Sequence, residues 1–464
     1  MKFRDLELIE PILRALSDKK YKEATPIQEK AIPVVLKGSD ILASAQTGTG
    51  KTAAFAIPII QRIQEMDGQS NKTKLRALIM TPTRELAIQI DENIRDYSKY
   101  TDLRHLVVFG GVKQGKQVKK LQSGIDILVA TPGRLLDLHN QGFINFNDLK
   151  LFVLDEADRM LDMGFINDIR RLIKLIPKNR QSLFFSATLP NNIIKLSQDI
   201  LKNPVKIEVA RTSTTAETVK QEVYYTNGST KRDMLLYIIE NIIDDQVLIF
   251  SRTKHGADKI VRYLKSENYN AAAIHGNKSQ NQRQAALKDF KNGKVQIMVA
   301  TDIASRGIDI DKLKYVINYN IPNVAEDYVH RIGRTGRAGE SGLAISICES
   351  EENAFLRSVE KLIARKIPAI DGHPYPQTQK PMTEREKKEF NKEKERKKRE
   401  RIAQHRARKE EKRRSGSGSG SKSKSKSKSA AKSGSSSRRK DRDGSGSEGK
   451  KPWNFKKSRR RKSK

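Results

Sequence analysis

Residues Ala45-Gln46-Thr47-Gly48-Thr49-Gly50-Lys51-Thr52 follow the apolar run Ile41-Leu42-Ala43-Ser44 and precede the helix-favouring Ala53-Ala54-Phe55-Ala56. That order reads as strand, phosphate-binding loop, helix. Gly48 and Gly50 allow positive φ, so backbone N–H groups can turn toward a polyphosphate at a helix N-terminus that favours anions. Lys51 is placed to reach the β- and γ-phosphates, and the Thr52 hydroxyl to hold Mg²⁺. The general template asks for glycine at its first position, where this chain has Ala45. The stretch predicts a nucleotide-binding protein on an α/β fold.

The chain has 464 residues, enough for two or more domains at about 100–200 residues each. Its 91 Lys and Arg against 55 Asp and Glu give a formal charge of +36. The surplus is uneven: residues 383–464 hold 34 basic and 11 acidic side chains, residues 1–382 hold 57 and 44. A basic body with a far more basic tail points to a polyanionic partner, nucleic acid before membrane. The one cysteine, Cys348, follows Leu343-Ala344-Ile345-Ser346-Ile347; it reads as a buried structural thiol and excludes an intrachain disulfide. No run of about 18 apolar residues occurs. A soluble, cytoplasmic protein with no membrane partner is the expectation.

Taken from its start, the chain shows Phe3 and then Leu8, Ile12, Leu13 and Leu16 at helical spacing, with Pro11 in the first turn. Tyr21 and Gln28 precede the phosphate loop. A glutamine amide offers a donor and an acceptor side by side, which suits an adenine edge, and an aromatic ring can stack on its face; taken alone, Gln28 reads more often as a surface helix residue. Apolar runs then end repeatedly in turns. Leu75 to Met80 leads to Thr81-Pro82-Thr83-Arg84, Val107-Val108-Phe109 to Gly110-Gly111, and Ile125 to Ala130 to Thr131-Pro132-Gly133-Arg134. This alternation predicts a parallel α/β sheet with ligands gathered at the strands' carboxyl ends. Leu151-Phe152-Val153-Leu154 delivers Asp155-Glu156-Ala157-Asp158. Three carboxylates after a buried strand suit Mg²⁺-ATP, with Asp155 holding the ion and Glu156 polarising the attacking water; an acidic helix start is the alternative. Leu183-Phe184-Phe185 leads to Ser186-Ala187-Thr188.

The Ser/Thr-rich stretch from Thr212 to Thr218 reads as a linker. A second series follows: Val247-Leu248-Ile249-Phe250 before Ser251-Arg252-Thr253, Ala271-Ala272-Ala273-Ile274 before His275-Gly276, and Val295 to Ala300 before Thr301-Asp302. It carries no phosphate loop of its own, which suits a partner closing over the first sheet. His330-Arg331-Ile332-Gly333-Arg334-Thr335-Gly336-Arg337 spaces three arginines by three, a pattern able to clamp a γ-phosphate across a cleft; a nonspecific basic patch is the alternative. Residues 384–414 alternate Glu with Lys and Arg, at most a solvated, salt-bridged helix. Residues 415–449 are Ser/Gly/Lys low complexity and are expected to be disordered; Trp453 and Phe455 sit among basic residues at the end.

In order and spacing these motifs resemble the DEAD-box ATP-dependent RNA helicases over about residues 1–368, and "ASAQTGTGKTAAF" with the basic tail is similar to the bacterial RhlE-type branch. The resemblance implies two tandem RecA-like domains, 1–210 and 220–370, a linker at 211–219, and a basic tail at 371–464. Ala45 is the family's habit, while Lys20-Tyr21 stands where Gly-Phe is usual. It implies that Phe3, Tyr21, Gln28 and the loop residues 45–52 hold ATP with Gly307 and Asp309, the latter near the ribose. It further implies arginine fingers at Arg334 and Arg337, and coupling through Asp158, Ser186, Thr188 and His330. RNA contacts fall on Pro82, Thr83, Arg84, Gly111, Thr131 and Arg134, then on Arg252, Gly276, Gln280, Arg283 and Thr301. Hydroxyls, glycine N–H groups and guanidinium forks grip phosphate and sugar without reading bases, and 2′-hydroxyl contacts favour RNA over DNA. The expected activity is ATP-driven separation of short RNA duplexes by a monomer, on ribosomal precursors or with the RNA-decay machinery. The alternatives are an ATP-gated RNA clamp or annealing factor and, third, a DNA translocase.

Overall fold

The computed structural model describes residues 1–45, 48–66, 74–209, 219–305, 313–336 and 342–381, with isolated positions 386, 393, 396, 400 and 403 beyond. The expected loop residues Gln46 and Thr47, residues 211–218 of the expected linker at 211–219, Gly307, Asp309, Arg337, and the low-complexity and terminal segments lie outside the described residues.

The first half of the chain alternates strands and helices: α1 (Glu10–Asp18), α2 (Pro26–Leu36), β1 (Ile41–Ser44), α3 (Lys51–Met66), β2 (Ala77–Met80), α4 (Arg84–Tyr97), β3 (His105–Val108), α5 (Gly115–Gln122), β4 (Ile127–Ala130), α6 (Pro132–Asn140), β5 (Leu151–Leu154), α7 (Ala157–Asp162), α8 (Ile166–Leu175), β6 (Gln181–Ser186), α9 (Asn191–Ile200) and β7 (Val205–Glu208). Their strands form one parallel sheet in the order β3-β4-β2-β5-β6-β1-β7. The second half continues with β8 (Lys220–Tyr225), α10 (Lys231–Asn241), β9 (Val247–Phe250), α11 (Lys254–Ser266), β10 (Ala271–Ile274), α12 (Gln280–Lys291), β11 (Ile297–Ala300), α13 (Asp302–Ser305), β12 (Tyr315–Asn318), α14 (Ala325–Ile332), β13 (Leu343–Cys348) and α15 (Asn353–Leu362). These strands build a second parallel sheet, β10-β11-β9-β12-β13-β8.

The central strands β2, β4, β5, β9 and β11 are apolar throughout because both of their faces are covered. Ile41, Ala43, Ala77, Ile79, Leu151, Val153, Leu183 and Phe185 enter one core with α2, α3 and α4. Their alternates Leu42, Leu78, Met80, Phe152, Leu154 and Phe184 enter the core on the other face. A one-residue slip would exchange these sets, so side-chain size fixes the register. Phe185 lies 5.4 Å from Phe55 of α3, and its truncation to alanine would cost about 3–5 kcal/mol. The second sheet repeats the design, with Val247 and Ile249 on one side and Leu248 and Phe250 on the other.

The register aligns the strands' carboxyl ends. Met80 pairs with Ala130 and Leu154, Leu154 with Phe184, and Ser44 with Ser186. The polar residues that follow these strands therefore share one edge. Helix starts there are capped by their own side chains: the Thr83 hydroxyl accepts from Leu86 N–H at 3.3 Å, and Thr253 and Ser279 cap α11 and α12 in the same way. Cys348 is buried, as its apolar surroundings predict. Among the described residues no helix is long and apolar enough to cross a membrane. In the separate unit from Thr378 onward, positions 386, 393, 396, 400 and 403 are helical and exposed, with Arg396 3.6 Å from Glu400.

Candidate active site and nucleic-acid groove

The phosphate loop begins where β1 ends. Ala45 N–H donates to Ser186 O at 3.1 Å, Gly48 and Gly50 take φ of 86° and 93°, and α3 starts at Lys51. Gln28 is tied to this loop: its Oε1 accepts from Thr25 N–H at 3.0 Å and its Nε2 donates to Gly50 O at 3.1 Å. A Cβ on Gly50 would stand 2.3 Å from that Nε2, so glycine is required for the approach as well as for φ. Tyr21 is partly exposed, stacked 6.1 Å from Phe3, and its hydroxyl lies 3.4 Å from that of Tyr97. Burial, then the Tyr21 hydroxyl, pushes the Tyr97 phenol upward. Tyr97 was not foreseen from sequence; it is an ordinary apolar position of α4.

One cleft is lined by Tyr21, Gln28, Gly48, Gly50, Lys51, Thr52, Asp155, Glu156 and Tyr97 together with Arg334 from the second half. Asp155 N–H donates to Met80 O at 3.0 Å, which fixes the acidic turn at the sheet edge. Glu156 adopts φ 54° and ψ 48°, a left-handed conformation that a non-glycine residue holds only under constraint. The constraint is visible: Arg159 Nη1 donates to Glu156 Oε1 at 2.7 Å, both side chains being buried. Burial, with Glu156 alongside and Lys51 opposing, drives the Asp155 carboxyl well above the usual carboxylate range. Lys51 Nζ and Glu156 Oε2 are buried with no hydrogen-bond partner among the described residues. A buried ammonium and a buried carboxylate oxygen facing one cleft suit a bound polyanion and its cation.

Asp158, Ser186 and Thr188 are brought together. Asp158 Oδ2 accepts from Ala187 N–H, Thr188 N–H and the Thr188 hydroxyl at 3.1, 3.0 and 3.1 Å, and the Ser186 hydroxyl donates to Thr188 O at 2.7 Å. His330 and Arg334 line a small neighbouring recess with Arg159, Asp302, Asp327 and Arg331. Arg331 is built into the second half: it bridges to Asp302 at 2.8 Å, to Asn318 Oδ1 at 3.1 Å and to Asn320 O at 2.6 Å, over the Phe250 ring. It is therefore a structural arginine, unlike the cleft-lining Arg334.

A second concavity holds most of the expected nucleic-acid residues. Pro82, Thr83, Arg84, Gly110, Thr131, Gly133 and Arg134 line it from the first half, Gly276 and Arg283 from the second, with Met163 and Phe165 on its wall. Gly111 is pressed by Arg84: at φ 79°, a Cβ there would be 2.2 Å from Arg84 Nη1. Burial first, then the nearby Arg283 and Arg134, lowers the Arg84 guanidinium from its ordinary value, the mark of cations crowded together. Arg134 reaches Gln117 Oε1 at 3.3 Å and Asp137 at 3.4 Å. Sequence reading missed Glu85. Its Oε1 accepts from Gln280 Nε2 at 2.8 Å and its Oε2 from Arg283 Nη2 at 2.9 Å, while Arg84 Nη1 lies 3.4 Å from Gln280 Oε1. Its partners lie 195 and 198 residues away along the chain, so no local signal in the sequence marked it. Thr301 and Arg252 follow β11 and β9, at the same carboxyl edge as Gly276.

The DEAD/DEAH box helicase family model matches residues 25–196, and the helicase conserved C-terminal domain matches residues 230–339. The chain is 42% identical over 366 residues to the DEAD-box ATP-dependent RNA helicase RhpA of Helicobacter pylori, covering 79% of this chain and 73% of the relative. It is 40% identical over 375 residues to the ATP-dependent RNA helicase RhlB of Actinobacillus succinogenes, covering 80% and 91%. The structure of S. cerevisiae Dbp5 bound to RNA and ADP BeF3 aligns with a TM-score of 0.69 at 30% identity, over 80% of this chain and 95% of that chain. Two RecA-like sheets, a phosphate loop and acidic turn in one cleft, and these matches agree: the chain belongs to the family of DEAD-box ATP-dependent RNA helicases.

Proposed function

We propose that this helicase separates short RNA duplexes by closing its two lobes over ATP and one RNA strand. The observation that carries this reading is the cleft itself, where Arg334 of the second lobe stands with Lys51, Asp155 and Glu156 of the first. A site completed from both lobes turns over only when they are together. Gln28 and the ring of Tyr21 select and stack the adenine, with Phe3 behind the ring. The N–H groups of residues 45–50 and the Lys51 ammonium bind the phosphates. Thr52 and Asp155 would hold Mg²⁺, which would neutralise charge on the phosphates. The lone pair on Glu156 accepts a proton from the attacking water, and Arg334 with Arg337 stabilises charge developing on the γ-phosphoryl group. Gly307 and Asp309 are assigned to the ribose side by motif alone.

RNA then lies along the arginine-lined groove, gripped by Pro82, Thr83, Arg84, Gly111, Thr131 and Arg134 and, from the second lobe, by Arg252, Gly276, Gln280, Arg283 and Thr301. Asp158, Ser186, Thr188 and His330 relay closure between groove and cleft. The boundaries 1–210, 220–370 and 371–464 remain those read from the motifs. So does the RhlE-type assignment, which rests on "ASAQTGTGKTAAF" and the basic tail while the relatives above carry other branch names. A reducing cytoplasm fits a chain whose one cysteine is free and buried, and a monomer is assigned by the family resemblance alone. Displacement assays on short and long duplexes test the reading. Short duplexes should separate in an ATP-dependent manner and long ones should resist. Strand release that tracks hydrolysis without any separation of short duplexes would favour the ATP-gated clamp instead.

A further inference from the structure

Arg252 is held in an unusual way for an exposed-edge arginine. Its Nη2 donates to Glu352 Oε1 at 2.6 Å and to Ile321 O at 3.0 Å, and its guanidinium lies 5.5 Å from the centre of the Phe355 ring. Its Nε and Nη1 make no hydrogen bond among the described residues, and the side chain is 34% exposed while that of Glu352 is 1% exposed. The guanidinium is thus anchored by one nitrogen and open along its other edge. Glu352 does more than this one bond. Oε1 also accepts from Asn320 Nδ2 at 3.0 Å, and Oε2 from the buried Lys231 ammonium at 2.6 Å, itself 3.3 Å from Glu349. Asn320 in turn accepts from Arg252 N–H at 3.2 Å, so carboxylate and amide hold both ends of the same residue.

The location gives this cluster a use. Adjacent strands β10, β11 and β9 end in register at Ile274, Ala300 and Phe250, and Gly276, Thr301 and Arg252 follow within two residues along that carboxyl edge. We propose that Glu352 is the positioning residue that aims the open edge of Arg252 at an RNA phosphate, as the third member of that row. This rests on the assignment of Arg252 to RNA made above. A free arginine must order a long side chain when it binds phosphate; an anchored one has already done so, and presents a planar fork in a fixed direction. The acid achieves this from inside the lobe without touching RNA.

The test is a double-mutant cycle in the full chain, read as affinity for a fluorescent single-stranded oligouridylate with a nonhydrolysable ATP analogue. Lys231→Met serves as the background, because removing Glu352 alone would strand a buried ammonium. Adding Glu352→Leu to that background should weaken binding about fivefold, the effect of leaving one long side chain to be ordered on binding. With Arg252→Ala also present, Glu352→Leu should have no further effect. Glu352→Gln in the otherwise unchanged chain provides a second measurement, and thermal melting reports the fold of each variant. Equal weakening with and without Arg252, or no weakening while Arg252→Ala alone binds less tightly, would overturn the positioning role. If Arg252→Ala binds as well as the parent, the RNA assignment of Arg252 falls first and this inference with it.

Discussion

Lys20 holds φ at 58°, in the left-handed region that glycine enters freely, just before the ring of Tyr21. Lys20→Gly should therefore stabilise the protein by about 0.5–1 kcal/mol in denaturant unfolding, relief of the left-handed backbone outweighing the added freedom of the unfolded chain. Unchanged or lower stability would show that the strain at Lys20 does not exceed that freedom. Gly111→Ala should do the reverse at the groove. Its Cβ would meet the Arg84 guanidinium, a flexible group that yields by moving away, so RNA affinity should fall by more than thermal stability does. An equal or greater loss of stability would contradict that. The phosphate loop and acidic turn were legible because their chemistry needs particular residue types at fixed spacing. Glu85 and Tyr97 were not, because their roles come from neighbours distant in sequence, Glu85 from Gln280 and Arg283 and Tyr97 from Tyr21; Arg159 was not because its role depends on the left-handed backbone at Glu156, three residues before it, which no residue type announces.

At the scale of elements, the loop from β10 into α12 illustrates how a surface is set by one acid on a neighbouring helix. Asp258 of α11 binds His275 at 3.0 Å and Lys278 at 2.9 Å, on either side of Gly276. Burial works to raise its pKa, but hydrogen bonds from His275 and Lys278 prevail and hold it below the ordinary aspartate value. A carboxylate whose folded pKa is depressed adds stability above its unfolded value and loses it as pH falls through the folded one. Asp258→Asn should lower the melting temperature at pH 7, and the gap from the parent should close as pH falls below about 4. A gap that persists in acid would exclude the ionic contribution. Central strands β5 and β9 and the edge strand β10 were readable to the residue because they are continuously apolar. β7 and β8 were not. Val205–Glu208 is an edge strand with only Ile207 buried, and Lys220–Tyr225 begins with three polar residues. β12, Tyr315–Asn318, is apolar enough to have been read but stands apart from any motif.

For the whole molecule, the division of charge makes its own claim. Residues 383–464 carry 34 basic and 11 acidic side chains, a composition that binds phosphates by releasing counterions whatever the sequence of the RNA. A chain ending at Pro381 should bind RNA less tightly at low salt and lose part of the salt dependence, about 0.7 in slope for each phosphate contact removed from a single strand. Equal binding by the two chains at low and moderate salt would remove the tail from RNA capture. The core's claim is different: hydrolysis belongs to a cleft that both lobes complete, and RNA favours their meeting. Steady-state ATP hydrolysis with single-stranded RNA, with DNA of the same sequence and with neither tests this most directly, with Glu156→Gln alongside. The account predicts that RNA raises the rate many-fold, that DNA does not, and that Glu156→Gln loses at least about a hundredfold as a missing general base should. Hydrolysis at one rate with and without RNA would contradict the coupling of groove to cleft.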